Sequence, residues 1–275
     1  MSRVGFIGYG SMGSMLVRGF LTTHILAPEQ VMVSTRNPEK LAAVKQSPGV
    51  AVTESNAALA AACPVVFLCV KPLEVKSVLE EIKPELAAGT HLVSIAASLT
   101  IGDIETVYDG PVTKVIPSLT AEVREGISLV CHNSKVSQTQ AGFVENLLSA
   151  ISTVQIIAEE NFEAGADLTS CAPGLIAAIF QQFVAAGVRH STLSQAEAER
   201  MVLHTLSGTA KLLLEKQLGF DQTITRVATK GGITEEGVTV LRDLLPATFD
   251  QVFTRTLGKH QTVKKLISDQ FSATN

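Results

Sequence analysis

The sequence predicts an α/β fold, with an N-terminal half built on a mainly parallel sheet and an all-α second half. Short β-branched runs alternate with helical segments up to about Ala158. Most of these runs are continuously apolar rather than alternating, as strands covered on both faces should be. Beyond Ala158 no convincing strand recurs and helical periodicity takes over. At 275 residues the chain exceeds what one small core needs. The expected domains are therefore 1–158 and 159–275.

Strands are expected at Val4–Ile7, Val31–Ser34, Val65–Val70, His91–Ile95, Val112–Ile116, Ile127–Cys131 and Val154–Ile157. Helices are expected between them at Ser11–Thr22, Pro38–Lys45, Ser55–Ala62, Pro72–Ile82 and Gln138–Ser149. Alternation of this kind places helices on both faces of the sheet. In the second half, Ser194-Gln195-Ala196-Glu197 is a capping box opening a long helix that runs to about Gln217. Met201, Val202, Thr205, Leu212 and Leu213 follow the helical period on one face, and Leu203, Leu206, Ala210 and Leu214 add a second. A helix apolar on two sides needs two covers, so the helical domain is expected to form a homodimer or higher homo-oligomer.

Composition narrows the function. Apolar residues make up 46% and charged residues 17%, which excludes a disordered chain. A net charge of −4, with 5% aromatics and no Trp, gives neither a basic footprint nor a stacking platform for nucleic acid. Cys63, Cys69, Cys131 and Cys171 form no CxxC pair, and the six His residues show no paired metal spacing, so no metal is expected. Cys171 reads as a small buried residue and His204 as a core or interface one. The chain runs into Val4-Gly5-Phe6-Ile7 without a basic leader, and the apolar run Ala57 to Val70 is broken by Pro64. A cytoplasmic protein without a membrane partner is expected.

Gly8-Tyr9-Gly10-Ser11-Met12-Gly13 fits G-x-G-x-x-G between a strand and a helix, the context in which that pattern holds a dinucleotide in a Rossmann domain. Gly8 permits the tight turn, Gly10 the approach of a pyrophosphate, and Gly13 close packing of helix on strand. The helix N-terminus supplies N–H donors to the anion. At the end of the second strand an NAD site usually carries an acid. This chain has Ser34, Thr35 and Arg36 instead, two hydroxyls and a cation suited to a 2′-phosphate, so NADPH is the expected cofactor.

Several stretches together resemble pyrroline-5-carboxylate reductase. They are Gly5 to Gly13, Val33-Ser34-Thr35-Arg36-Asn37-Pro38-Glu39, Cys69-Val70-Lys71-Pro72 and Ser94-Ile95-Ala96-Ala97, followed by Lys114-Val115-Ile116-Pro117, Glu125-Gly126 and Gly231-Gly232-Ile233-Thr234. The resemblance spans essentially the whole chain. It implies a Rossmann domain, a C-terminal helical domain that interlocks in a dimer, and NAD(P)H-dependent reduction of a cyclic imine to proline. It also places Val70, Lys71 and Pro72 beside the nicotinamide and ribose, Asn56 against the nucleotide, and Ala96 where a ring lies close. Asn56 and Lys71 also have plainer readings, as a helix cap and a solvated charge. The turn around Thr229, Gly231, Gly232 and Ile233 is implied to hold the substrate carboxylate, with Thr234 as the catalytic hydroxyl near the ring nitrogen.

The substrate side departs from the family pattern. The chain has Ile116-Pro117-Ser118-Leu119-Thr120 where the family has Met-Pro-Asn-Thr-Pro. It has Thr169-Ser170-Cys171-Ala172-Pro173-Gly174-Leu175 where the family has Ser-Gly-Ser-Gly-Pro-Ala-Tyr, and Arg124 where a Gly is usual. Glu235 and Glu236 follow the glycine turn, and carboxylates there repel an anionic substrate if they point inward. This pattern looks most like the late-competence (ComER-like) branch of the family. Two readings therefore stay open: an NADPH-dependent reductase of a cyclic imino acid, and an NADP-binding regulatory or interaction protein that has lost turnover. A β-hydroxyacid dehydrogenase also opens with such a glycine motif, but it needs an interdomain Lys that Asp167 to Gln182 does not contain.

Overall fold

The computed structural model describes residues 3–45 and 49–272. Chain order runs β1 (Val4–Ile7), α1 (Ser11–Thr22), β2 (Val31–Ser34), α2 (Pro38–Lys45), β3 (Ala51–Thr53), α3 (Asn56–Ala62), β4 (Val65–Leu68), α4 (Val75–Ile82), β5 (His91–Ser94) and α5 (Ile101–Glu105). It continues with β6 (Val112–Ile116), β7 (Gly126–His132), α6 (Gln138–Ser149), β8 (Ser152–Ile156), α7 (Phe162–Leu168), α8 (Ala172–Arg189), α9 (Gln195–Lys216), α10 (Phe220–Val227) and α11 (Ile233–Ser272). The eight strands form one sheet in the order β3-β2-β1-β4-β5-β6-β7-β8. Every neighbouring pair is parallel except β6 with β7. The mainly parallel α/β sheet and the all-α region after it are as the sequence predicts.

The apolar runs are continuous because both faces of the sheet are covered. In β1, Val4 and Phe6 point into one core with Phe20 of α1, Phe67 of β4 and Val144 and Leu148 of α6. Ile7 points into the other, with Leu59 of α3 and Val75 and Leu79 of α4. Phe6 stacks on Phe67 at 4.9 Å between ring centroids. Burying such a side chain fully is worth about 1.5–3 kcal/mol, so these three rings anchor α1 behind the glycine turn.

Differences from the expected elements are local. β3 has three residues, too few for a period to register. The segment after β4 begins as a 3-10 turn, Pro72–Glu74, before α4, because Pro72 starts a turn without donating an N–H. The chain packs as two compact units, 1–172 with 256–275, and 173–255. The last part of α11 thus belongs with the sheet, where Ile267 is fully buried.

One expectation about the second half needs correction, at Cys171. Glu159–Arg189 is long and apolar enough, by length and composition, to cross a membrane, and 6% of its apolar window is buried within this chain. The acids Glu159, Glu160, Glu163 and Asp167 precede a charge-free run from Leu168 to Val188. Cys171 is exposed rather than buried. On α9, opened by the predicted Ser194–Glu197 box, only Ala198 is buried, and His204 is exposed. Both apolar faces of that helix are therefore open on a single chain.

Candidate functional site

β1 ends at Ile7, and Gly8 turns the chain with φ +98°, where a Cβ would lie 2.6 Å from the Cys69 carbonyl oxygen. Gly10 is the N-cap of α1 and brings no side-chain cap. A Cβ on Gly10 would meet nothing within 4 Å, so the way to the first-turn N–H groups of Ser11, Met12 and Gly13 is open. Gly13 itself sits so close that a Cβ would lie 2.4 Å from the Gly8 carbonyl oxygen. Tight turn, open approach and close helix seating are the three conditions of a diphosphate cradle. No acidic side chain occupies that first turn, so the positive end of α1 faces outward unopposed.

The glycine turn opens into a cleft of 290 Å³ at the carboxyl ends of β1, β2 and β4. That is where open α/β sheets bind ligands. Gly8, Gly10, Ser34, Thr35, Arg36, Asn56, Val70 and Lys71 line it. Ser11, Met12 and Gly13 stand behind it as the first turn of α1, and Pro72 starts the 3-10 turn beyond Lys71. Ala96 lies past the end of β5, is buried, and is not part of the cleft lining.

Ser34 is fully buried and its Oγ donates to Asn56 Oδ1 at 2.7 Å. Asn56 Nδ2 donates in turn to Glu81 Oε2 at 2.9 Å. This relay fixes the amide orientation and commits the Ser34 proton inside the protein. The cap of α3 is Ser55, whose Oγ accepts from Ala58 N at 3.0 Å, so Asn56 is not the cap. Arg36 reaches out beside the cleft and pairs with Glu74 at 3.4 Å. Glu74 also accepts the Lys71 N–H at 3.2 Å. Burial pushes the Cys69 thiol up, so the cleft wall there is neutral.

Lys40, Asn37 and Glu74 also line the cleft, and sequence reasoning missed them. Asn37 Oδ1 accepts from Lys40 N at 3.0 Å, which ties the first turn of α2 to the strand end that carries Arg36. The nearness of a second cation, Lys40, to Arg36 in the chain was the available signal. Glu74 left none, because the approach of its turn to Arg36 is a tertiary fact.

The predicted substrate residues lie in the helical unit. Gly231 has φ +73°. Gly232 donates its N–H to the Thr229 carbonyl at 2.8 Å, and a Cβ on Gly232 would lie 2.7 Å from Thr229 Oγ1. The turn is thus closed on itself and leads into α11 with Ile233 94% exposed and Thr234 exposed in the first turn. Glu235 Oε2 accepts the Gly231 N–H at 2.6 Å.

A glycine-turn cleft on a mainly parallel sheet, followed by an all-α region, defines a two-part dinucleotide-binding oxidoreductase architecture. Residues 3–98 match the family model described as NADP oxidoreductase coenzyme F420-dependent, and 159–263 match pyrroline-5-carboxylate reductase dimerisation. The chain is 37% identical over 271 residues to pyrroline-5-carboxylate reductase 3 of Bacillus subtilis, covering 98% of this chain and 100% of that protein. It is 28% identical to ComE operon protein 4 of the same organism, over 98% of this chain and 99% of that one. Among solved structures, the Coxiella burnetii pyrroline-5-carboxylate reductase matches with a TM-score of 0.85 at 26% identity, over 97% of this chain and 98% of that one. The Plasmodium falciparum enzyme with NADP bound matches at 0.82 and 25%, over 97% and 98%. The chain belongs to the pyrroline-5-carboxylate reductase family.

Proposed function

We propose that the protein is an NADPH-dependent reductase of a cyclic imino acid, converting pyrroline-5-carboxylate to proline or carrying out a closely related C=N reduction. The single observation that carries this reading is the glycine cradle opening into a cleft with Arg36 and Lys40 at its mouth, in a chain of this family. The bound nicotinamide supplies the hydride. The protein's own work is to bind, orient and exclude water. The first turn of α1 holds the diphosphate, Arg36 and Lys40 the 2′-phosphate, and Asn56, Val70, Lys71, Pro72 and Ala96 shape the nucleoside and nicotinamide sides. On the helical unit, the Thr229–Ile233 turn holds the substrate carboxylate and Thr234 offers its hydroxyl to the ring nitrogen. An imine accepts hydride readily once its nitrogen is protonated, so a donor at that atom is the chemistry the fold has to provide.

We take 1–158 as the dinucleotide-binding domain and 159–275 as the helical one, and assign the open apolar faces to homo-oligomer contact. α8 exposes Ile176, Ile179 and Phe183, and α9 exposes Met201, Leu203 and Leu214, too much apolar surface for a lone helical pair in water. Localisation in the cytoplasm accords with this reading. Steady-state NADPH oxidation with a panel of cyclic imines tests it. Turnover with pyrroline-5-carboxylate or a near analogue is expected. Tight NADPH binding without oxidation of any imine would turn the assignment to the binding-only protein.

A further inference from the structure

Away from the cleft, α7, the turn after it and the end of α11 bring three metal-ligating side chains together. Asp167, Cys171 and His260 place one ligand atom each within 4.8 Å of one another. All three belong to the unit that carries the sheet. We propose that they form a binding site for a borderline transition-metal dication of the zinc type, with Asp167 Oδ1, His260 Nε2 and Cys171 Sγ as ligands. The sequence expectation of no metal site missed it because Asp167 and His260 stand 93 residues apart, so no spacing motif exists.

The geometry favours a metal over a plain hydrogen-bonded group. His260 Nε2 and Asp167 Oδ1 are 3.3 Å apart. That is long for a charge-assisted hydrogen bond, which closes to about 2.7–2.9 Å. It equals the edge of a tetrahedron with bonds of about 2.0–2.1 Å, the zinc–imidazole and zinc–carboxylate lengths. Cys171 is tied in by its N–H, which donates to the Ala166 carbonyl at 2.9 Å, next to Asp167 in the chain. Its sulfur already lies within 4.8 Å of the Asp167 and His260 ligand atoms.

The outer atoms of the ligands are already satisfied, as metal ligands require. His260 Nδ1 faces Ser98 Oγ at 3.3 Å, leaving Nε2 for the ion. Asp167 Oδ2 accepts from Thr256 Oγ1 at 2.5 Å, leaving Oδ1. Ser98 is buried and held at φ +62°, a left-handed conformation that few non-glycine residues adopt. Its hydroxyl is the polar group beside the outer nitrogen of the imidazole. Asp167 is itself buried beside the His260 imidazole, and a dication would neutralise it. Ser98, His260 and Asp167 also stand in the order of a nucleophile, base and acid. With Ser98 buried, however, no acyl substrate can reach its hydroxyl. Three protein ligands leave a fourth position for water or a small anion.

The test is equilibrium dialysis of the untagged protein against Zn2+ followed by metal analysis, with Co2+ as an optical probe. One Zn2+ per chain is expected. Co2+ should give a near-ultraviolet thiolate-to-metal charge-transfer band that Cys171→Ser abolishes. His260→Ala and Asp167→Asn should weaken Zn2+ binding at least tenfold, and Thr256→Ala about tenfold through the carboxylate it orients. NADPH binding, retained in each variant, reports that the fold survives. Substoichiometric Zn2+ in the unaltered protein, or one Zn2+ indifferent to Cys171→Ser and His260→Ala, would overturn the assignment.

Discussion

Glu235 folds back one turn to accept the Gly231 backbone N–H at 2.6 Å. A carboxylate of the protein thus occupies the donor that the substrate's carboxylate is proposed to use. Of the two acids that follow the glycine turn, this one points inward. Glu235→Ala should lower KM for an anionic cyclic imine about fivefold while leaving kcat within twofold, because one exposed charge-assisted hydrogen bond is worth about 1 kcal/mol. Glu235→Gln should fall between. Steady-state kinetics at saturating NADPH reads the split, and an unchanged KM would mean that the substrate anion binds elsewhere.

Arg36 and Lys40 stand at one mouth, and Glu74 draws Arg36 back by its ion pair at 3.4 Å. Arg36→Ala and Lys40→Ala should each weaken NADPH binding about tenfold at low salt and leave NADH nearly unaffected. Glu74→Gln frees Arg36 and should tighten NADPH two- to threefold. Fluorescence titration with both coenzymes separates these outcomes. Equal loss for NADH and NADPH in Arg36→Ala would make Arg36 structural.

Thr234→Ala should lower kcat by about a hundredfold, as loss of a positioned proton donor does, with NADPH affinity within twofold. Thr234→Ser should restore much of the rate. Turnover indifferent to Thr234→Ala would remove this hydroxyl from the chemistry.

What the sequence disclosed follows the range of the interactions concerned. β1, β2 and β6 are found at their predicted bounds, because each is a short β-branched run flanked by turn residues. The glycine cradle was legible because its three requirements act within six residues. By sequence Asn56 fits a nucleotide contact or a helix cap, and only the folded sheet brings Ser34 to its Oδ1 and Glu81 to its Nδ2. Cys171 reads as a small buried residue rather than a reactive thiol, yet the turn between α7 and α8 leaves it exposed. The Asp167–His260 pairing and the Glu74–Arg36 contact are long-range, and no local pattern encodes them.

The same limit hides a buried polar chain across the sheet. His91 Nε2 is 2.6 Å from Thr113 Oγ1, which is 2.7 Å from His132 Nδ1, and His132 Nε2 is 3.0 Å from Glu145 Oε1. With His132 Nε2–H donating to the Glu145 carboxylate, His132 Nδ1 accepts from Thr113. Thr113 then accepts from His91 Nε2–H, and His91 Nδ1 is left as a buried lone pair with no partner among the described residues. Protonating that nitrogen means burying a cation, so burial first, and His132 second, pull the His91 pKa down from 6.5 to about 4. In the unfolded chain His91 takes up its proton near its ordinary pKa, so below that pH the unfolded state binds more protons than the folded one. The stability this group contributes is present above about pH 6.5 and is lost as pH falls towards 4, by about 3 kcal/mol in all. Denaturant midpoints measured from pH 7 to 4 should fall accordingly. His91→Leu should flatten that part of the slope at some cost at pH 7, where Thr113 loses a donor. A slope unchanged by His91→Leu would place the acid sensitivity in the carboxylates instead.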